Sequence, residues 1–355
     1  MTTQIIGSWT TDEEFEDSPG PHVPLSAGGP RHERWGSLMA VGVALQVIQG
    51  LVLLVFAPLY SGVMTRAEAI VASKRGPSVL QPYRDLAKWL RKSSVISDQA
   101  SFVFRGAPFL AFGCYLTVAA IVPIITDEPL PLAFMGDLIG GAFVLSLASF
   151  ALSLAGLDTA SPLGGLGASR ASWIGSLAEP ALILVFFTVG AVSASDNPYL
   201  MNHAVASSPY VIVLPTHLLG LVAFFLLVLV EGARIPIDNP TGSIEISMIE
   251  EPRVLEYSGR EYALVKWGSW MKLFLLSSIF MNIFVIPWGL GDATSIVGGL
   301  VAIPVLLGKL AVCGLAIVII DSSFAKLRFF RIAEFLGASF LLALVGIVTS
   351  YVIGA

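Results

Sequence analysis

Residues 231–262 read EGARIPIDNPTGSIEISMIEEPRVLEYSGREY. This segment follows an apolar run that ends at Val230 and precedes another that begins near Trp267. Seven carboxylates and three arginines are therefore packed between two predicted membrane spans. A loop that only joined two helices would be shorter and would not need so many charges. The segment predicts a loop that docks a partner or lines a path for charge.

The composition of the 355-residue chain excludes a soluble globular protein. Hydrophobic residues make up 55% of it and charged residues only 13%, whereas a soluble domain carries about 25% charged residues. We therefore predict an all-α, polytopic membrane protein, without a nucleic-acid partner. Cys114 and Cys313 lie far apart in apolar runs, so they are predicted to be packing residues, and we predict no metal site.

Predominantly apolar stretches of about 20 residues predict about eight membrane-spanning helices. They lie at 36–65, 106–126, 138–157, 172–194, 211–230, 266–290, 295–320 and 335–353. Residues 1–35 are acidic and rich in proline and glycine, which predicts a disordered tail before the membrane domain at 36–355. Two long loops, at about 65–105 and 231–265, interrupt that domain.

The positive charges predict the orientation of the chain. The loops after the first, third, fifth and seventh spans hold Lys and Arg, whereas the loops after the second, fourth and sixth hold none. The long loops are therefore predicted to face the cytoplasm, and both termini to face the periplasm, of a bacterial or archaeal cytoplasmic membrane.

Two further stretches have recognisable local patterns. KRGPSVLQPYRDLAKWLRK, at 74–92, predicts a basic amphipathic helix at the membrane interface. SPLGGLGASR, at 161–170, is rich in glycine but follows no strand, so we predict a surface loop and no nucleotide site.

Charges inside the apolar spans are candidates for a functional path, because a charge in the bilayer is costly without a partner or water. Lys309 lies near the middle of the seventh predicted span, and Glu179 lies within the fourth. Desolvation would bring the pKa values of such groups towards neutrality, as a proton relay requires. We predict that Glu179, Glu231 and Lys309 belong to one polar path.

The loop acids leave alternatives open. Glu231 and Asp238 flank Arg234, which is compatible with a local ion pair as well as with proton transfer. Glu250 and Glu251 are expected on an ordinary solvated face.

Four segments of the sequence, taken together, resemble one family. KRGPSVLQPYRDLAKWLRK, GLGASRASWIGSLAEPALI, the 231–262 loop and DSSFAKLRFFRIAEFLG are similar, in order and spacing, to segments of the subunit-1 family of respiratory complex I. The DNP and EYSG sequences resemble more closely the membrane subunit of hydrogenase-4 and formate hydrogenlyase-type complexes. The resemblance covers nearly the whole chain after residue 60.

The resemblance implies a membrane-anchoring, proton- or ion-coupling subunit without a redox cofactor and without catalysis of its own. Its partners would be soluble iron–sulfur and hydrogenase-large-subunit-like proteins, which carry the iron–sulfur clusters and a nickel–iron centre, and antiporter-like membrane subunits. The implied proton path comprises Glu179, Glu231, Asp238, Lys309 and Asp321. The implied docking loops contain Arg75, Gln81, Asp85, Lys88, Arg170, Arg234, Glu245, Glu256 and Tyr257.

Two alternatives stay open at this point. In complex I itself the two loops help to line a quinone cavity, so a quinone-site subunit is one alternative. A stand-alone secondary transporter is the other, but it predicts internal repeats, and the two halves of this sequence show none.

Overall fold

The structure is a computed structural model that describes residues 31–133, 136–234, 237–238, 249–324, 327, 329 and 331–353. Most of the predicted tail and Glu245 lie outside these residues. The described helices are α1 (Arg31–Val71), α2 (Gln81–Arg91), α3 (Phe102–Ile121), α4 (Leu138–Asp158), α5 (Pro162–Ser193), α6 (Pro198–Ser207), α7 (Pro215–Glu231), α8 (Glu250–Arg253), α9 (Gly259–Ile279), α10 (Ile296–Ser323) and α11 (Arg331–Ile353). In these ranges the only extended pairing is an isolated bridge between Thr126 and Gly291.

The prediction of an all-α, polytopic membrane protein is confirmed. Seven of the described helices are long and apolar enough to span a membrane. The fifth predicted span coincides with α7, which has 17 residues and is slightly shorter than the ~20 that cross a bilayer. The count of eight spans therefore stays a prediction.

The glycine-rich stretch at 161–170 is helical, so the prediction of a surface loop there was wrong. Helix α5 begins at Pro162, and proline is favoured in the first turn of a helix. A Cβ atom on Gly167 would lie 2.5 Å from the backbone nitrogen of Arg253 in α8. Glycine is present at this position because the backbones of α5 and α8 approach so closely.

The loops meet at two ends of the bundle, which we call the α8 end and the α6 end. At the α8 end, the loop after α2 reaches the start of α9, where the Val95 N–H donates to Ser258 Oγ at 2.7 Å. At the α6 end, the Leu138 N–H donates to the Asp196 carbonyl at 3.1 Å. Helices α3 and α4 pack together, and α11 packs on α5 and α7.

Helix α9 is the central helix of the bundle. Most of its residues are buried, although it is the least apolar of the seven candidate spans. It ends in a π-helical turn, Phe280–Val285, a form that leaves backbone carbonyls without their usual partners. The Asn202 side chain donates to the Asn282 carbonyl at 2.6 Å, and His217 Nε2 lies 2.8 Å from the Phe284 oxygen.

Candidate functional site

The side chains of Glu231 and Lys272 form an ion pair near the α8 end. Glu231 Oε2 lies 2.5 Å from Lys272 Nζ, and the two side chains are only 16% and 10% exposed. Glu231 ends α7, whereas Lys272 lies inside α9. The sequence prediction included Glu231 but missed Lys272. Its position well inside the predicted span 266–290 was the signal that could have identified it.

The short helix α8 carries a second ion pair, between Arg253 and Glu250. The buried Arg253 guanidinium also donates from Nη1 to the backbone oxygen and the hydroxyl of Ser149 in α4, both at 3.3 Å. Asp238 accepts hydrogen bonds from the backbone N–H groups of Ile249 and Glu250 at 3.1–3.2 Å. These bonds hold the start of α8, so Asp238 has a positioning role in the structure.

A cavity of about 60 Å³ lies between these charges, which is large enough for a small number of water molecules. Five charged residues line it, three bases and two acids: Glu231, Glu250, Arg253, Lys266 and Lys272. Tyr115 and Ser269 complete its polar lining. The cavity therefore leaves room for water beside both carboxylates.

A smaller cavity lies beside this site, between α4 and α5. It has a volume of about 10 Å³ and is lined by Glu179, Glu231, Ser146 and Ser149 among others. That volume corresponds to about one water molecule. Glu231 lines both cavities, and Glu179 lines the smaller one. The structure thus brings these two carboxylates to one cavity, and a proton path through them stays a prediction.

The expectation that Glu250 and Glu251 form a solvated face was wrong. The Glu250 side chain is 38% exposed and pairs with Arg253, while Glu251 pairs with Lys266 of α9. Burial raises the pKa of Glu250, but the positive charges of Arg253, Lys272 and Lys266 outweigh it and hold that pKa below its usual value. A high density of charged residues in the sequence suggests a solvated loop. It does not indicate which side of the segment packs against the bundle.

Arg234 pairs with neither of the acids that flank it. Its Nη1 lies 2.6 Å from Glu68 Oε1 at the end of α1 and 4.0 Å from Asp321 Oδ2 near the end of α10. The sequence spacing allowed an ion pair between Glu231 and Arg234. In the structure, Arg234 instead contacts acids from segments that are distant in sequence. Sequence analysis did not single out Glu68.

Lys309 lies apart from the Glu179–Glu231 site. Its Nζ donates to Asn282 Oδ1 at 2.9 Å, at the π-helical turn of α9, and the residue is only 5% exposed. Asn282 lies ten residues beyond Lys272 in the same helical segment, which is about 15 Å along its axis. The described contacts do not place Lys309 in one path with Glu179 and Glu231.

The two long loops contact each other through specific hydrogen bonds. Ser94 donates to the Glu261 carboxylate, and the Ser258 hydroxyl donates to the Val95 carbonyl at 2.9 Å. Tyr257 donates to the Phe104 carbonyl at 2.8 Å and its ring stacks on that of Phe104. Tyr257 is thus a structural anchor of the second loop.

The remaining predicted docking residues lie on or near the surface. On the amphipathic helix α2, Asp85 accepts hydrogen bonds from Gln81 and Lys88 of the same helix. Arg75 and Glu256 are exposed, and Arg170 is half-buried in α5. The residues that line the two cavities do not include these positions.

Taken together, the fold and the site define a multi-pass membrane protein with a cluster of charges around a small cavity beneath two packed loops. The NADH dehydrogenase family matches residues 43–351. The chain is 35% identical to formate hydrogenlyase subunit 4 of Escherichia coli over 81% of its length and 92% of that protein. It is 31% identical to hydrogenase-4 component C of the same organism, over 85% and 93% of the two chains.

The chain therefore belongs to the NADH dehydrogenase family, the complex I subunit 1-like family, and the predicted resemblance is confirmed. The fold is similar to a chain of the archaeal membrane-bound sulfane sulfur reductase, a respiratory membrane complex. The TM-score is 0.73 with 20% sequence identity, over 86% of this chain and 99% of that one.

Proposed function

We propose that this chain is the membrane-anchoring and ion-coupling subunit of a multisubunit energy-converting oxidoreductase of the hydrogenase-4 or formate hydrogenlyase type. The names of the two Escherichia coli relatives, a subunit and a component of larger assemblies, support a role within a complex over a stand-alone transporter. In this proposal the chain links soluble iron–sulfur and hydrogenase-like proteins, which hold the redox cofactors, to antiporter-like membrane subunits.

The proposal places the α8 end on the cytoplasmic side of the cytoplasmic membrane and both termini on the periplasmic side. Its support is the distribution of lysine and arginine between alternate loops. The soluble proteins then lie against α2 and the second loop.

The observation that carries the coupling role is the position of Glu231. It lines the cavity beneath α8 and also the small cavity that leads to Glu179. Carboxylates separated by water can exchange a proton, because water donates and accepts hydrogen bonds in turn. A proton that enters beneath α8 therefore has a route through Glu231 to Glu179.

The ion pairs around the larger cavity provide a means of control. Lys272 and water in the cavity compete for contact with the Glu231 carboxylate, because the Lys272 ammonium group lies 2.5 Å from it. A change of charge in a soluble partner above α8 would shift this balance. Redox chemistry in the partner is thereby coupled to protonation of Glu231.

The size of the cavity supports this role over a quinone site. Pockets for small molecules usually measure roughly 300–1,000 Å³, whereas the cavity in the described part of the α8 end measures about 60 Å³. Water and protons fit this space, and a quinone headgroup needs more room.

The test uses the complete complex, purified and reconstituted into proteoliposomes, with Glu179→Gln. We expect assembly and electron transfer to persist while the number of ions moved per electron falls at least severalfold. Glu334→Gln, which changes an exposed acid in the first turn of α11, is the control. A Glu179→Gln complex that moves ions as well as the parent overturns the proposed path.

A further inference from the structure

We propose that Lys309 exchanges protons through a second polar line, separate from the Glu179–Glu231 path, in which Tyr60, Ser277 and Cys313 form the middle station. The inference rests on the ion-coupling function proposed above. It assigns roles to three side chains that sequence analysis did not single out as functional.

A ridge of side chains along α10 carries the line. Lys309, Cys313, Ile317 and Asp321 recur every fourth residue, so each side chain lies about one turn beyond the previous one, on a ridge that winds gradually around the helix. Lys309, Cys313 and Ile317 are 5%, 1% and 0% exposed, and the Asp321 side chain is 8% exposed. Two ionisable groups therefore lie at opposite ends of a buried stripe.

Helix α1 presents a matching face to this stripe. Tyr60, Met64 and Glu68 also recur every fourth residue. A Cβ atom on Gly314 of α10 would lie 3.1 Å from the Tyr60 ring and 3.4 Å from Met64 Cγ. The glycine allows the two helices to approach closely at this level, which brings Tyr60 beside Cys313.

The middle station is a set of three buried polar groups from three helices. Tyr60 Oη donates to Ser277 Oγ of α9 at 3.2 Å. The buried Cys313 is adjacent in α10 to Gly314, whose added Cβ atom would lie 3.5 Å from the same Tyr60 hydroxyl. A hydroxyl can accept one hydrogen bond while it donates another. The station can therefore pass a proton without holding a permanent charge.

The two ends of the line differ in chemistry. At one end Lys309 contacts Asn282 at the π-helical turn. At the other end Arg234 contacts the carboxylates of Glu68 and Asp321. A complete transfer moves one proton from a carboxylic acid at that end to the neutral amine of Lys309, leaving a carboxylate and an ammonium group.

A dry gap separates the station from the carboxylates. Cys313 and Asp321 are eight residues apart in α10, which is about two helical turns. Met64 and Ile317, which are 1% and 0% exposed, lie midway along this gap. A proton cannot cross apolar side chains without water, so the gap is the barrier that must hydrate for each transfer. It also prevents passive leakage when the complex is idle.

The first experiment compares two neighbouring buried serines of α9 in the reconstituted complex. Ser278 is a matched control because its hydroxyl donates within its own helix, to the Phe274 carbonyl at 2.8 Å. We expect Ser277→Ala to lower the ions moved per electron at least severalfold, Ser277→Thr to restore them, and Ser278→Ala to have no effect. If Ser277→Ala and Ser278→Ala move the same number of ions per electron, the proposed role of the station is overturned.

The second experiment introduces a hydroxyl into the dry gap. Ile317→Thr should produce a passive proton leak in proteoliposomes without turnover, and Lys309→Met in the same chain should abolish that leak. Val318→Thr, at the adjacent residue, which is 1% exposed, is the control and should not leak. The proposed line is overturned if Ile317→Thr and Val318→Thr leak equally. It is also overturned if the leak of Ile317→Thr persists in the Lys309→Met background.

The outcomes separate this inference from the proposed function. If Glu179→Gln uncouples the complex and Ser277→Ala does not, the second line fails and the first path stands. If neither variant uncouples the complex, both proposals fail.

Discussion

Lys272 Nζ lies 2.5 Å from Glu231 Oε2 inside the bundle, and this contact joins the end of α7 to the central helix α9. The ion pair borders the larger cavity, and Glu231 also borders the smaller one. The contact therefore has two consequences, one for stability and one for proton transfer.

For stability, the contact predicts that the destabilising effects of substitutions at Lys272 and Glu231 are not additive. Removing one partner of a buried ion pair costs about 3–5 kcal/mol, because the other charge stays buried without compensation. We expect Lys272→Met to lower the thermal unfolding midpoint of the detergent-purified complex more than the double variant Lys272→Met/Glu231→Gln does. A double variant that is less stable than both single variants contradicts a direct pairing.

The Arg253–Glu250 ion pair predicts a dependence of stability on acid pH. The pKa of Glu250 lies below its usual value of 4.5 in the folded state. Its contribution to stability is thus present above about pH 4.5 and is lost as the pH falls through the lowered pKa. Glu250→Gln should flatten the acid limb of the stability profile, measured by thermal unfolding. Glu256→Gln, at an exposed acid of the same loop, should leave the limb unchanged.

The opposite charges of the two loops predict a docking surface for the soluble subunits. Residues 66–105 contain eight bases and three acids, a net charge of +5, and residues 231–261 contain three bases and seven acids, a net charge of −4. Such fields orient a charged partner. Arg75→Glu/Lys88→Glu should release the soluble subunits during purification.

The control for that variant is Arg331→Glu, at an exposed base at the start of α11. It should leave the complex intact. Co-purification of the soluble subunits with the double variant, at the level of the parent, would argue against docking at α2.

The alternation of charge between loops predicts sidedness. Ser195 is half-buried at the α6 end, and Ser97 is exposed at the α8 end. Single cysteines at these positions should react with an impermeant thiol reagent from opposite sides of the membrane, with Ser195→Cys labelled from the periplasm. The native Cys114 and Cys313 are buried, so their reaction should be slow. Labelling of both new cysteines from one side would rule out the proposed topology.

Part of the site was predictable because it depends on local properties. The amphipathic pattern of 74–92 predicted α2. Glu179, which the sequence singled out as the lone acid of the fourth predicted span, lines the smaller cavity. The glycine-rich stretch was interpreted as a loop, because composition does not indicate that α8 packs against α5 at Gly167.

The sequence by itself determined the class of protein, the approximate positions of its spans and the segments that carry charge. These follow from hydropathy and charge, which are properties of neighbouring residues. Only the tertiary structure decided that Lys272 pairs with Glu231, that Glu68 pairs with Arg234, and that Lys309 contacts Asn282. The physical reason is that a buried charge takes whichever partner the packing of the helices brings within reach, and that partner can be far away in sequence.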